Sequence, residues 1–290
     1  MIEDKEIDAV IEITSKFVHA PLAIDALKAG KHVFTEKPIA TTSKDAEEMV
    51  KAAEKNDLKL MVGYMKRYDT GVLKAKEAFE EFARNEKVAY ARSHLFGGDW
   101  ICGETAEKMI RTEEIYPDIK PRFPDFLPKD FFKVMDNLLE QVHDINLPRY
   151  FLGDPLAIES FNLWPRGSVS LLDYGDYPLT LEMGSISADF WEEQFIIYFK
   201  NGWIDLRPPA PLLRNVPATV SIYRAGKIQR DEFPHGTWSW SFERQAQHFI
   251  DCIVEDREPI SSGFDSYRDI VIIESMLKAA VEGRRVEMKF

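Results

Sequence analysis

The sequence is short of the residues that build disulfide frameworks, cysteine-rich metal sites and membrane spans. Its two cysteines, Cys102 and Cys252, are too few for a disulfide framework or a zinc site of four cysteines. No apolar run approaches ~18 residues, so we expect no membrane-spanning helix. The first residues are charged and lack an apolar stretch, so they do not resemble a secretion signal. We therefore expect a cytoplasmic protein.

Basic residues are also in deficit. The chain has 37 lysines and arginines against 49 aspartates and glutamates, with a formal net charge of −12. Such a balance argues against binding a nucleic-acid backbone as the main activity. His94, His235 and His248 show no ligand spacing with one another or with either cysteine, so we expect no metal site.

A glycine-rich nucleotide loop is missing as well. The sequence has 15 glycines, and none of them form G-x-G-x-x-G. A dinucleotide site of the usual kind needs that loop so that backbone N–H groups can approach the pyrophosphate. Any nucleotide-binding domain in this sequence is therefore expected to be incomplete, with its N-terminal, glycine-rich part absent.

What is present is a regular alternation of strand-like and helix-like segments over residues 1–66. Short apolar runs with β-branched residues predict strands, and capped amphipathic runs predict helices. The alternation indicates βαβ units and a parallel sheet. The strands are predicted at 8–14, 32–35 and 59–64, and the helices at 20–29 and 44–55.

Residues 67–290 follow a different pattern, with several strand-like runs separated by turn residues, which is typical of a mostly antiparallel sheet. Residues 97–128 are rich in Gly, Pro and charge and are expected to form a long excursion. The strands are predicted at 87–96, 157–163, 168–172, 194–199, 202–206 and 218–223, and the helices at 72–83, 130–147, 241–255 and 265–282.

The predicted fold is therefore an incomplete Rossmann-type parallel sheet, followed by a larger α+β domain with an open, mostly antiparallel sheet flanked by helices. We expect the first domain at 1–66 and a substrate-binding and oligomerisation domain at 67–290. The C-terminal helix is expected to pack back on the first domain.

The tripeptide Glu36-Lys37-Pro38 directly follows the second predicted strand. Ligands of open α/β sheets lie beyond the carboxyl ends of the strands. Partial desolvation there lowers the pKa of a lysine and suits it to proton handling or to polarising a hydroxyl. Pro38 can fix a tight turn that aims the lysine. A surface Glu-Lys turn is the alternative for the tripeptide taken alone.

The predicted helix 130–147 carries a second group of polar residues. Asp136, Glu140, His143 and Asp144 fall on one helical face, opposite an apolar one. A histidine with a pKa near neutrality suits proton transfer. A solvated polar face is the alternative. Pro148 is expected to end or kink this helix.

Two residues at the end of the third strand, Tyr64 and Arg67, can face a substrate, with packing and an ion pair as the alternative. Aromatic residues of the second domain are assigned to the sheet core or an oligomer interface, with a sugar-binding surface as the alternative. They are Phe161, Trp164, Tyr174, Tyr177, Trp191, Trp203, Trp238 and Trp240.

Residues 8–40, with Thr14, His19 and the run from Gly30 to Pro38, resemble the Gfo/Idh/MocA family, named for glucose–fructose oxidoreductase and inositol dehydrogenase. The resemblance continues through 62–68, 143–155 and 263–287, so it covers essentially the whole chain. It implies an NAD(P)-dependent oxidoreductase that transfers a hydride between a nicotinamide cofactor, NAD or NADP, and a sugar or polyol hydroxyl.

The resemblance also implies roles for single residues. Lys37 is implied as a catalytic residue, and His143 as the acceptor of the substrate hydroxyl proton. Family members often carry an aspartate four residues before this histidine, where this chain has Leu139, and Glu140 or Asp136 can substitute for it. The cofactor-binding residues are expected to be Thr14, Ser15, His19, Glu36 and Pro38, and the substrate-binding residues Tyr64, Arg67, Glu140 and Asp144.

Two hypotheses follow. The first is a dehydrogenase whose N-terminal segment is missing from this sequence or supplied by another chain. The second is a non-catalytic descendant that acts as a binding or assembly subunit through the large sheet. Both allow a homo-oligomer, and neither names the substrate.

Overall fold

The computed structural model describes residues 2–98, 113, 119–186 and 190–290. Cys102 and most of the predicted excursion lie outside these residues. Within them, two sheets are present, one of three strands and one of nine.

The small sheet is parallel throughout, with strand order β1-β2-β3. Thr42 caps the second helix, since its hydroxyl accepts a hydrogen bond from the Asp45 N–H at 3.1 Å. Gly30 takes a φ of +80° just after the first helix, a conformation that favours glycine. The predicted βαβ arrangement is therefore confirmed. Its elements are β1 (Ala9–Glu12), α1 (His19–Lys28), β2 (His32–Glu36), α2 (Ser43–Asn56) and β3 (Leu60–Gly63).

The large sheet has the order β11-β10-β9-β8-β4-β7-β6-β5-β12. Every neighbouring pair is antiparallel except β4 and β7, so the predicted mostly antiparallel sheet is confirmed. Three strands, β7, β11 and β12, were not predicted from the sequence. The nine strands are β4 (Val88–Gly97), β5 (Ala157–Trp164), β6 (Gly167–Asp173), β7 (Pro178–Ser185), β8 (Glu193–Phe199), β9 (Gly202–Arg207), β10 (Thr219–Arg224), β11 (Arg230–Glu232) and β12 (Val286–Glu287).

The C-terminal helix lies between the two sheets. It contacts α2 and β3 on one side and β5 on the other. Its Glu274 carboxylate accepts hydrogen bonds from the Ser43 N–H at 2.7 Å and the Ser43 hydroxyl at 2.8 Å. The helices after β3 are α3 (Thr70–Ala83), α4 (Phe132–Glu140), α5 (His143–Leu152), α6 (Ser241–Val254) and α7 (Gly263–Glu282), with 3₁₀ turns at Met65–Tyr68 and Lys129–Phe131.

The single helix predicted over 130–147 was wrong, because two helices meet there at Gln141 and Val142. Pro148 was expected to end or kink the helix; it does not end it, since it lies inside α5, which runs on to Leu152. A proline has no N–H for the carbonyl four residues earlier, which is that of Asp144. The Ser93 hydroxyl donates to this carbonyl at 3.4 Å instead.

Candidate active site

A cavity of about 610 Å³ opens beyond the carboxyl ends of β2 and β3, against the break between α4 and α5. Residues predicted for the site from distant parts of the sequence share its lining: Glu36, Lys37, Glu140, His143 and Asp144. The fold therefore brings the Glu-Lys-Pro turn and the histidine-bearing helix to one space.

Lys37 connects the small sheet to the end of α4. Its ammonium group donates to the Glu140 carbonyl at 2.9 Å and lies 3.5 Å from the Glu140 carboxylate. Burial lowers the pKa of Lys37, although the Glu140 and Glu36 carboxylates oppose this. A lysine in this state can donate a hydrogen bond to a ligand oxygen and exchange a proton more readily than a solvated one.

The Glu36 carboxylate lies over Gly63 at the carboxyl ends of the parallel strands β2 and β3. A Cβ atom at position 63 would stand 2.9 Å from Glu36 Oε1, so a side chain at this position would require the carboxylate to move. The Lys37 N–H donates to Glu36 Oε2 at 3.2 Å. Burial raises the pKa of Glu36, because the charged form loses solvation there.

His143 is the first residue of α5. Its ring stands edge-on to the Tyr64 ring, with 5.7 Å between centroids. Burial, together with the nearby ammonium groups of Lys66 and Lys37, holds the pKa of His143 well below its usual range. The imidazole is therefore neutral at physiological pH. Its Nδ1 atom is buried and has no hydrogen-bond partner within the described residues.

Asp144 lines the cavity beside a buried charge cluster that sequence reasoning missed. The Lys66 ammonium lies 2.5 Å from Glu193 Oε1 and 3.9 Å from Asp144 Oδ1. The Trp191 indole N–H donates to Glu193 Oε2 at 3.0 Å. Lys66 and Trp191 also line the cavity. Only the polar character of Lys66 next to a strand end could have signalled this cluster.

Glu140 and Asp136 were predicted to substitute for the absent aspartate, and both carboxylates form ion pairs. Lys16 bonds to both carboxylates, and its contact with Asp136 measures 2.9 Å. Although burial raises the pKa of Glu140, the ammonium groups of Lys16 and Lys37 lower it below its usual value. Leu139 is fully buried in the hydrophobic core.

The residues predicted for the cofactor loop do not all reach the cavity. His19 is buried, with Nδ1 2.8 Å from the Pro38 carbonyl and Nε2 3.3 Å from the Thr14 carbonyl. It thereby joins the end of β1 to the Glu-Lys-Pro turn, whose Lys37–Pro38 peptide is cis. Thr14 and Ser15 are exposed beyond β1.

Tyr64 and Arg67 lie behind the cavity and are not among the residues that line it. Tyr64 is fully buried against the His143 ring. The Arg67 guanidinium is buried too, and donates to Asn146 Oδ1 and to the Ile260 carbonyl, both at 2.7 Å. These positions correspond to the packing and ion-pair alternative, so we revise their expected direct contact with substrate to a supporting one.

Comparisons with known proteins identify relatives of this chain. Residues 1–64 fit the profile of the GFO_IDH_MocA family, described as an oxidoreductase family with an NAD-binding Rossmann fold. The inositol 2-dehydrogenase/D-chiro-inositol 3-dehydrogenase of Lacticaseibacillus casei is 33% identical over 284 residues, covering 92% of this chain and 72% of that enzyme. This chain belongs to the Gfo/Idh/MocA family.

Other proteins share less of their length or sequence with this chain. The inositol 2-dehydrogenase of Salmonella typhimurium is 38% identical over 81 residues, so the match spans only 24% of that enzyme and 28% of this chain. The structure of levoglucosan dehydrogenase in complex with NADH and levoglucosan superimposes with a TM-score of 0.73 at 18% identity, covering 100% of this chain and 82% of that one. This likeness shows a common fold.

The described part of the chain contains no helix that is long and apolar enough to cross a membrane. Nor do the described residues contain a group of three or more His, Cys, Asp or Glu side chains placed to hold a metal ion.

Proposed function

We propose that this family member transfers a hydride between a nicotinamide cofactor and a hydroxyl group of a sugar or polyol. The observation that carries the proposal is the shared lining of one cavity by Lys37, Glu36 and His143 at the carboxyl ends of parallel strands. Ligands of open α/β sheets bind at this edge. Family membership supports the same reaction class.

The residues fit the nicotinamide end of such a cofactor. A nicotinamide ring, when bound, supplies the hydride acceptor or donor. Glu36 offers a half-buried carboxylate to a ribose hydroxyl, and the absence of a side chain at Gly63 leaves room for that carboxylate. Thr14 and Ser15 flank the same strand ends, and His19 holds the Pro38 carbonyl in place.

The residues do not fit the pyrophosphate end. The segment that follows β1, residues 13–18, contains no glycine, and no G-x-G-x-x-G occurs in the 290 residues. These residues therefore lack the loop whose backbone N–H groups would approach the pyrophosphate. Cofactor binding by this chain alone, with NAD or NADP, is therefore the first point to test.

At the reacting centre we assign Lys37 and His143 to the substrate hydroxyl. Lys37 donates a hydrogen bond to its oxygen, and the neutral His143 ring contacts the same group. We assign Glu140 and Asp144, which line the cavity, to hydrogen bonds with further hydroxyls of the substrate. Tyr64 holds the His143 ring from behind, and Arg67 holds the start of α5 through Asn146.

The second candidate function is a non-catalytic binding or assembly subunit. It is supported by partly exposed aromatic pairs of the large sheet. Tyr90 stacks on Tyr198 at 6.0 Å, and Trp203 stacks on Tyr223 at 4.2 Å. Both functions are compatible with a homo-oligomer that pairs this sheet with a second copy. The cytoplasmic location stays a prediction from the sequence.

The test is to titrate the purified chain with NADH and NADPH by fluorescence, and then to assay oxidation of myo-inositol and of glucose. We expect Lys37→Met to lower turnover by about 10²- to 10⁴-fold while cofactor affinity stays unchanged. Lys44→Met, at an exposed position of α2, serves as the matched control. Wild-type-like turnover of Lys37→Met would remove Lys37 from the mechanism. No binding at millimolar cofactor would favour the non-catalytic function.

A further inference from the structure

Polar and apolar residues line different parts of the cavity. The residues assigned to the substrate hydroxyl, Lys37 and His143, come from the turn after β2 and from the start of α5. The large sheet and the segments next to it contribute apolar side chains instead: Leu95, Trp191, Pro211, Leu212 and Phe242. Ligand pockets commonly combine an apolar and aromatic lining with a few polar groups that fix orientation. The apolar part of this cavity is therefore available for the carbon skeleton of a ligand.

Trp191 is held at both ends of its indole ring. The Nε1–H group donates to Glu193 Oε2 at 3.0 Å, and Glu193 is only 4% exposed. A Cβ atom at position 97 would stand 2.8 Å from Trp191 Cζ3 and 3.1 Å from Cη2, so the opposite end of the ring lies against Gly97. A side chain fixed in this way loses little freedom when a ligand binds.

The surface that Trp191 presents to the cavity is carbon. Its one polar atom already donates to Glu193, and the side chain is half-buried, so part of the ring stays accessible. The face of an aromatic ring is electron-rich and attracts groups that carry a slight positive charge, such as the C–H bonds of a sugar carbon. A six-membered ring with equatorial hydroxyl groups presents C–H bonds on its faces and hydroxyls around its rim. Such a ring matches the two parts of the cavity lining.

The position of Trp191 in the fold favours contact with substrate over contact with cofactor. Glu36, assigned to the ribose of the cofactor, lies at the end of β2 in the small sheet. Trp191 lies beside β8 of the large sheet, and Glu193 connects it to the Lys66 ammonium at 2.5 Å. That ammonium is 3.9 Å from Asp144, the residue after His143. The buried ion pair therefore ties the indole to the helix that carries His143.

We propose that Trp191 is the substrate-binding surface that selects cyclic sugars and polyols over linear ones. The inference rests on the proposed function, because the hydroxyl that meets Lys37 and His143 sets where the ring lies. One C–H face of the ring packs on the indole while the hydroxyls of the rim reach the polar residues. A linear polyol must immobilise several rotatable bonds to present a comparable face. Lys66 and Glu193 are positioning residues.

The first arm of the test measures binding by calorimetry without cofactor. The ligands are myo-inositol and glucose, which are cyclic, and glucitol, which is linear. Glucitol has the same number of carbons and hydroxyl groups as myo-inositol, so the pair differs in ring closure. We expect the wild type to bind at least one of the cyclic compounds about tenfold more tightly than glucitol.

Two variants separate the ring face from the hydrogen bond to Glu193. Trp191→Phe and Trp191→Leu both lose the N–H group, but only phenylalanine keeps an aromatic face. We expect Trp191→Leu to weaken binding of the cyclic compound about tenfold and to leave glucitol binding unchanged, and Trp191→Phe to retain most of the affinity. Trp238→Leu is the matched control, because Trp238 is 82% exposed and does not line the cavity.

The second arm uses cofactor. We expect Trp191→Leu to raise the KM for the cyclic compound about tenfold, while the affinity for NADH stays as in the wild type. This split would not arise if the indole packed against the nicotinamide ring, since NADH affinity would then fall too.

Four results would overturn the proposal. They are a wild type that does not prefer cyclic compounds, wild-type-like affinity of Trp191→Leu, equal losses in the leucine and phenylalanine variants, and a loss of NADH affinity in Trp191→Leu. A wild type that binds cyclic compounds through Trp191 but transfers no hydride would refute the proposed function instead, and the selection of cyclic ligands by Trp191 would stand.

Discussion

Replacement of Arg149 by methionine should destabilise the protein through one buried charge network. Arg149 lies on α5 and is 6% exposed. Its guanidinium bonds to Asp269 Oδ1 at 2.6 Å and to Asp154 Oδ1 at 2.7 Å, and it lies 3.2 Å from Asp265 Oδ1. Asp269 belongs to α7, so the network joins the helix that carries His143 to the C-terminal helix.

The size of the destabilisation depends on which of these carboxylates water can solvate after Arg149 is replaced. Asp154 and Asp265 have side chains that are 21% and 29% exposed, so water can solvate them once Arg149 is gone. Asp269 is fully buried, and among the described residues it would keep the hydrogen bond from the Asn146 amide, which donates at 2.7 Å. Removal of one partner of a buried pair costs about 3–5 kcal/mol. With one deeply buried carboxylate, we expect about 3 kcal/mol.

The assay is urea unfolding followed by tryptophan fluorescence, with the free energy of unfolding extrapolated to water. Arg284→Met is the control, because this side chain is 67% exposed and its ion pair should contribute no more than about 1 kcal/mol. The double variant Arg149→Met/Asp269→Asn should recover part of the loss, since it removes the uncompensated charge. A loss below about 1 kcal/mol in the single variant, or no recovery in the double, would refute the reasoning.

Three other outcomes are expected. Gly63→Ala should displace the Glu36 carboxylate and weaken cofactor binding, while the midpoint of urea unfolding changes little. Fluorescence titration and urea unfolding would measure the two effects, and an unchanged cofactor affinity would contradict the role of this glycine. Burial raises the pKa of Glu12 from 4.5 to about 7, so wild-type stability should fall as pH rises from below 4.5 through 7. Glu12→Gln should flatten this dependence, and equal slopes for both chains would disprove the assignment. Thr42→Ala removes the acceptor of the Asp45 N–H and should cost about 1 kcal/mol in urea unfolding, whereas a neutral result would mean that the cap contributes nothing.

The small sheet could be predicted closely because its signals are local. The helix predicted over 44–55 is observed as Ser43–Asn56, and the strand predicted over 32–35 as His32–Glu36. Helix caps, glycine stops and short β-branched runs operate within a few residues, so the sequence alone contains them.

The large sheet shows where local signals fail. β7 was missed although Leu179, Leu181 and Met183 alternate toward the core, because Pro178 and Gly184 at its ends are typical of turns. The break between α4 and α5 has neither proline nor glycine. The Gln141 amide there donates to the Gly184 carbonyl at 2.9 Å, a distant contact that no periodicity reveals.

The residues of the site also fall into those that local signals predict and those that depend on distant contacts. Glu36, Lys37 and His143 were predicted from motifs and do meet at one cavity. Lys66 and Glu193 lie 127 residues apart, and their contact depends on how β8 returns beside the start of the second domain. Buried ion pairs of this kind are set by tertiary structure, so no local sequence pattern predicts them.

The position of β4 has a consequence for how the chain folds. Strands β5, β6 and β7 form one series of hairpins, and β8, β9, β10 and β11 form another, so each can pair with sequence neighbours. β4 precedes both series in sequence, yet it alone joins them, with β7 on one side and β8 on the other. Closing these long loops carries a large entropic cost before any strand contact is gained. We therefore expect the two hairpin series to form early and the insertion of β4 between them to be the slow step of refolding.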